Sequence, residues 1–298
     1  MTNRARLLVT LLMVLTPAAG MLIAASTFTF STLAGTPGTV VNSADGVGAA
    51  AQFDAPRGVA VDSAGSVYLA DASNNTIRKV TPAGVVTTLA GRAGSASFAD
   101  GSGTVARFNE PFGVAVDDSG NVYVADSSNN AIRKVTSGGI VTTVAGGNGP
   151  GSTDGTGTAA KLDEPRGVAV DSSGTIYVAD YDNHLIRKIT AAGVVTTLAG
   201  SADVEGSADG AGSAARFRGP MGIAVDSSGV VYVADTGNRS IRRISTSGAV
   251  TTLSLSGGGL SQPRGIAVDG AGVLYVADYA SHTILTISIA GAVTTLAG

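Results

Sequence analysis

One phrase is written five times along this chain. It first runs over residues 56–91 as PRGVAVDSAGSVYLADASNNTIRKVTPAGVVTTLAG, and it returns with substitutions over 111–146, 165–200, 220–255 and 263–298. The prolines that open successive copies stand 55, 54, 55 and 43 positions apart. Self-similarity on this scale dictates an array, in which each copy is one supersecondary unit that buries its apolar faces against its neighbours. A further fragment, TFTFSTLAG at 27–35, matches only the end of the phrase.

Each copy carries four strand signals. In the first copy these are 58–61, 66–70 centred on Tyr68, 76–80 and 85–89, all rich in Val, Ile, Leu, Tyr and Thr. The turns between them are 62–65, 71–75 and 81–84, with Asp62 and Gly65 at the first and fourth places that type I turns favour. No helical period appears after residue 27, so the fold class is all-β. In the first strand Val59 and Val61 face one way, Gly58 and Ala60 the other. A small sheet with two apolar faces needs cover on both, and radial repetition supplies it. The expected architecture is a β-propeller of four-stranded antiparallel blades, with five complete repeats plus one N-terminal outer strand at 27–35. That count permits a five-bladed ring or an incomplete six-bladed ring, and an open ring would leave a blade face free for self-association.

Before the repeats, Arg4 and Arg6 precede an apolar stretch from Leu7 to Leu15, which Pro17 interrupts and which ends in Ala24, Ala25 and Ser26. This is the pattern of a secretory signal peptide over residues 1–26, with the repeat domain at 27–298. An uncleaved anchor over 7–25 is the alternative. Export implies a secreted, periplasmic or cell-envelope location, with no membrane span once the signal is removed. The absence of cysteine excludes disulfides, thiol catalysis and Cys-based zinc sites. A net charge of −3 offers no long-range attraction to nucleic acid, which is therefore not an expected partner.

Asn183-His184-Leu185, followed by Ile186-Arg187-Lys188, resembles the signature from which NHL repeats take their name, and GVAVD, VYVAD, IRKV and TTLAG extend the resemblance through all five copies. The resemblance implies a propeller, commonly of six blades. It implies little about activity, because the family spans extracellular sensor domains, RNA- and protein-binding modules and a few lyases. Its amidating lyases hold zinc with several histidines, whereas this chain has two. Lactonase-like six-bladed enzymes use a Glu, Asn and Asp metal site, and Glu110 and Glu164 stand beside the prolines that open two copies.

Strand direction places the turn between the second and third strands on the same side as the between-blade segments 36–55, 92–110, 147–164 and 201–219. This side, the top, is the expected functional face. The last connector is about a dozen residues shorter than the others, which predicts a notch in the rim. An Asp-Gly-x-Gly pattern starts at Asp45, Asp100, Asp154 and Asp209. It reads either as part of a cation loop or as a tight turn, a short helical turn and a Phe or Leu plug between blades. Asp71, Asp126, Asp180, Asp235 and Asp278 read as a metal ring or as caps of their own turns, helped by Asn74 and its counterparts. Arg78, Arg133, Arg187 and Arg242 read as giving ion pairs and aliphatic packing between blades, and the recurrent Tyr68, Tyr123, Tyr177, Tyr232 and Tyr275 as core.

Residues that vary among copies are the better site candidates. Arg57, Phe112, Arg166, Met221 and Arg264 follow the opening proline and are expected at the mouth of the central channel. Three guanidiniums and two apolar groups there suit an anionic or amphipathic ligand; the alternative is pairing of each Arg with a neighbouring turn Asp. Tyr181, His184, Tyr279 and His282 mark two of the top turns. No catalytic, metal or cofactor set is assigned. The expected function is an exported, non-enzymatic scaffold binding a protein, glycan or small anionic ligand through this face. The alternative is a propeller enzyme of the metal-dependent lactonase or amidating-lyase kind.

Overall fold

The computed structural model describes residues 29–36 and 43–298. The expected signal at 1–26 lies outside them. Among the described residues no helix is long and apolar enough to cross a membrane. Blade one contains β1 (Gly46–Val47), β2 (Pro56–Val61), β3 (Val67–Asp71), β4 (Thr76–Val80) and β5 (Val85–Gly91), in the order β1-β5-β4-β3-β2 from rim to axis. The next three blades repeat this five-stranded antiparallel sheet, and the fifth has four strands. The chain is thus an all-β propeller of five blades.

The first hairpin shows why the phrase folds as it does. Asp62 Oδ1 accepts the N–H groups of Ala64 and Ser66 at 3.0 and 2.8 Å, and the Tyr68 hydroxyl donates to Oδ2 at 3.1 Å. Gly65 takes the left-handed conformation (φ +78°) that closes the turn. The same Asp–Tyr bond recurs in the other four blades at 3.2–3.4 Å. Burial beside the Asp carboxylates pushes Tyr123 and Tyr177 up to about 12.

Blades pack large face on small face. Tyr68, Ala70, Ile77 and Ala90 of blade one form a single buried cluster with Val114, Val122, Val124, Val135 and Val141 of blade two. Equivalent clusters join blades two to three, three to four and four to five. Near the axis the approach is so close that a Cβ on Gly58, Gly113, Gly167 or Gly222 would strike the carbonyl oxygen of Phe112, Arg166, Met221 or Arg264 in the next blade. Gly265 of blade five meets only its own Ala277. At the other end, Val59 and Val61 of blade one are 51% and 43% exposed. Among the described residues, then, the ring is open between blades five and one.

The connectors correct a sequence expectation, for they do not lie across the top. Each of the four long ones descends the rim of the next blade and pairs briefly with its outermost strand, as Gly46 and Val47 do with Val86 and Val85. A 3₁₀ turn follows (Gly103–Val105, Gly157–Ala159, Gly212–Ala214), and the chain climbs back between blades. Phe108, Leu162 and Phe217 are buried in that groove. The plug reading of the Asp-Gly segments therefore holds.

The aspartates serve the arginines. Arg133, fully buried, donates from Nη1 to Asp126 at 2.7 Å and from Nη2 to Asp100 at 2.6 Å. Arg78, Arg187 and Arg242 make the same fork with Asp71 and Asp45, Asp180 and Asp154, and Asp235 and Asp209. Nor does Asp71 cap its own turn: it accepts the N–H of Asp54 in the connector at 2.7 Å and the Asn74 side-chain amide at 2.9 Å. Burial pushes Asp126 and Asp180 up to about 6, against the pull of their N–H donors and arginines. In blade five Leu285 replaces the Arg, and Asp278 accepts the N–H groups of Ser261 and Gln262 instead.

Candidate functional site

The residue after each opening proline reaches the channel mouth through local backbone irregularity. Pairing of the innermost with the second strand slips just after Pro56, Pro111, Pro165, Pro220 and Pro263. Such a bulge re-aims the side chain beside it. In blades one to three the result is a stacked row. The Arg57 guanidinium lies 4.9 Å from the Phe112 ring centroid and that of Arg166 lies 5.6 Å from the same ring. Arg166 also sits 3.4 Å from the centroid of Tyr181, and Arg264 sits 3.5 Å from that of Tyr279.

These contacts orient flat cations, because a guanidinium stacked on a ring keeps its N–H edges free to point outward. Burial, with the positive charges of Arg57 and Arg166, holds Arg264 below the usual arginine value, against the opposing influence of Tyr279 and Tyr181. Arg166 donates to Glu164 at 2.8 Å and Arg264 to the Gln262 side chain at 3.3 Å. Arg57 is exposed, and among the described residues it meets an aromatic ring but no carboxylate. The Arg264 Nε is buried without an acceptor. Among the described residues none of the three arginines pairs with a turn Asp, and Arg166 pairs instead with Glu164.

An open cleft of about 100 Å³ lies beside this row, lined by Arg57, Ser73, Glu110, Phe112, Ser128 and Arg166 among others. Glu110 and Glu164 precede prolines yet take left-handed conformations (φ 49° and 43°), a strained combination. Gly219, free of that strain, holds φ 53° at the same place in blade four. Glu110 accepts a bond from the Ser128 hydroxyl at 3.3 Å. Both glutamates stand out in the sequence beside their prolines, but nothing there puts them on the cleft wall or marks Ser73 and Ser128. Their signal is faint, since Ser is also an ordinary turn residue.

Other candidates separate from the row. Met221 is buried at 3% exposure. His184 occupies the left-handed place of its turn, and its Nδ1 accepts the Gly219 N–H across the blade junction at 3.2 Å. Asn75 and Asn130 do the same work with Oδ1, for the N–H groups of Glu110 and Glu164. His282 is exposed beside Tyr279, with ring centroids 6.3 Å apart. Among the described residues no group of three or more His, Asp and Glu is placed to hold a metal ion.

The NHL repeat model matches residues 108–135, 162–189, 217–244 and 260–286, and the Teneurin NHL domain model matches 28–103. NHL repeat-containing protein 2 of Homo sapiens is 33% identical over 151 residues, covering 46% of this chain and 21% of that protein. The chain spans 8% to 21% of the length of the curated relatives it matches. Among solved structures, gluconolactonase XC5397 from Xanthomonas campestris superposes with a TM-score of 0.60 at 16% identity, covering 82% of this chain and 76% of that one. Virginiamycin B lyase from Staphylococcus aureus does so with a TM-score of 0.57 at 19% identity, covering 81% and 69%. At such identities the likeness is one of fold. With repeat matches over blades two to five, a domain match over blade one and five sheets of one design, the chain belongs to the NHL-repeat family of β-propellers.

Proposed function

We propose that the protein is an exported, non-enzymatic binding propeller whose channel mouth takes a small ligand bearing carboxylate or similar anionic groups. The observation that carries this reading is the set of three channel-mouth guanidiniums, from blades one, three and five, each lying on an aromatic ring, with Arg57 lacking a carboxylate partner among the described residues. Arg presents two parallel N–H groups to a carboxylate, and a stacked Arg loses little freedom on binding one. The aromatic faces beside it suit the apolar part of the same ligand. Glu110 and Glu164 on the cleft wall favour ligands that also carry hydroxyl or amine donors, such as sugar acids or the carboxyl ends of peptides.

Calorimetric titration with sugar acids, neutral sugars and short peptides with free or amidated carboxyl ends tests this. Binding of the anionic members alone, weakened at least about tenfold by Arg57→Gln through loss of a charge-assisted bond, is expected. Equal binding of neutral and anionic members, or indifference to Arg57→Gln, would overturn it. Turnover of an ester or lactone abolished by Glu110→Gln would favour the enzyme reading. Export is tested separately, by the mass of the mature N-terminus, which is expected near Thr27.

A further inference from the structure

Blades one, two and three differ in the residues on either side of their opening proline: Ala55 and Arg57, Glu110 and Phe112, Glu164 and Arg166. Blade three closes its pair on itself, for Arg166 donates to Glu164, two residues back, at 2.8 Å. Blade two has the acid but a Phe in place of the arginine, and blade one has the arginine but an Ala in place of the acid. The same two charges are thus divided between neighbouring blades, and both line the cleft beside Phe112. Among the described residues Arg57 and Glu110 form no ion pair, either with each other or with another group.

Each of the two is held in place by its own neighbours. The Arg57 guanidinium lies on the Phe112 ring, 4.9 Å from its centroid. The Glu110 backbone is fixed in the left-handed conformation (φ 49°), with its N–H bonded to Asn75 Oδ1 at 2.8 Å. Its carboxylate accepts the Ser128 hydroxyl at 3.3 Å, which leaves most of its acceptor capacity unused. Gly219 fills the same place in blade four without strain, so packing does not demand a glutamate there, and strain kept without a packing need marks a functional position. The cleft therefore carries two arginines and two glutamates, one pair closed and the other held apart. A plain anion is drawn to Arg57 and repelled by Glu110, whereas a ligand with both charges satisfies both. At about 100 Å³ the cleft is far smaller than the ~300–1,000 Å³ of sites that enclose drug-sized ligands, and it suits a molecule of a few heavy atoms.

We infer that this cleft takes a short free amino acid, with its carboxylate on Arg57, its ammonium on Glu110 and its carbon skeleton against Phe112. Ser73 and Ser128 line the same cleft, and their hydroxyls can accept further N–H bonds from the ammonium. The inference rests on the carboxylate reading of the channel mouth and narrows it. Sugar acids, which bring a carboxylate but no ammonium, become the weaker members of that class.

Calorimetric titration of the full chain with alanine, N-acetylalanine, alanine amide and gluconate tests it. Alanine is expected to bind at least about tenfold more tightly than any of the other three, the effect of one charge-assisted bond. Glu110→Gln should remove its advantage over N-acetylalanine, and Arg57→Gln its advantage over the amide. Glu110→Gly, which relieves the left-handed strain, should lose the same advantage as Glu110→Gln while unfolding at no lower temperature than the native chain, so that the loss is one of binding and not of folding. N-acetylalanine or gluconate binding as tightly as alanine, in a manner that depends on Arg57, overturns the inference and leaves the carboxylate reading standing. So does a preference for alanine that survives both substitutions of Glu110. Alanine amide binding as tightly as alanine, or binding of none of the four, overturns both.

Discussion

Arg133 and its three counterparts show how one side chain holds a blade. Each guanidinium is fully buried and forks between a buried Asp on the second strand and a half-exposed Asp on the rim segment, tying the sheet to its connector. Removing one partner from such a set leaves the other charge buried and alone. Arg133→Leu should therefore destabilise by roughly 3–5 kcal/mol, and Asp126→Asn in the same chain should restore part of the loss; denaturant unfolding of the single and double variants checks both. Blade five tolerates Leu285 because two backbone N–H groups satisfy Asp278 there. The role of His184 follows the same logic. His184→Asn should be nearly neutral, since Asn75 and Asn130 already do this work, whereas His184→Ala should cost about 1 kcal/mol through the stranded Gly219 N–H. That these arginines form ion pairs was legible in the sequence, but their carboxylates were not. Asp126 read as a metal ligand or a turn cap, and Asp100 stands 33 residues from Arg133 with nothing local to join them. The fork also ties a blade to its own connector rather than to the next blade.

At the scale of the element, hairpins and connectors differ in how plainly they are written. Strands announce themselves by alternation and their turns by Asp and Gly, so the four strands of a blade were readable to within about two residues. A two-residue rim strand such as Gly101–Ser102 has no period to read, and an Asp-Gly pair serves a surface loop equally well. Packing decides between the cation-loop and plug readings, and it makes Phe217 the wedge that the plug reading expects. Phe217→Ala should cost about 3–5 kcal/mol, and Phe53→Ala, at the half-covered face of blade one, distinctly less; thermal unfolding of the two variants compares them. The hairpin turns also fix the response to acid. Burial pushes Asp62, Asp117, Asp171 and Asp226 up, but hydrogen bonds from backbone and side-chain donors outweigh it and bring each below the ordinary value. Their stabilisation is present above the unfolded value of 3.8 and is lost as pH falls through the lower folded values. Asp126 and Asp180, raised to about 6, act oppositely: their contribution is complete below 3.8 and disappears as pH rises through about 6. The unfolding midpoint should therefore peak on the acid side of neutrality and fall steeply below the carboxylate range, and Asp126→Asn should flatten the alkaline limb.

In the whole molecule, repetition makes stability a sum of blade and junction contributions. Blades two, three and four are covered on both faces by the same Val-on-Ala packing, whereas blade one leaves Val59 and Val61 exposed and blade five leaves Ala267 exposed. The sequence already carried this asymmetry, in the lone TFTFSTLAG fragment and in the loss of the Arg from the fifth copy, but not which wall the fragment covers. Residues 29–36 stand on blade one, so its outer strands are shielded and only its inner strand is bare. Blade five has no such cover, lacks the Arg fork and has the shortest connector. Opening should therefore begin at blade five rather than symmetrically at both ends. Native-state hydrogen exchange is expected to be fastest in Thr283–Ile287 and Val293–Ala297, intermediate in β2, and slowest in the second and third strands of blade three. Deleting residues 29–36 should raise exchange in β3 to β5 toward that of blade five while leaving blades three and four unchanged. Equal protection of blades three and five in the intact chain would mean that the opening is not a free surface in solution.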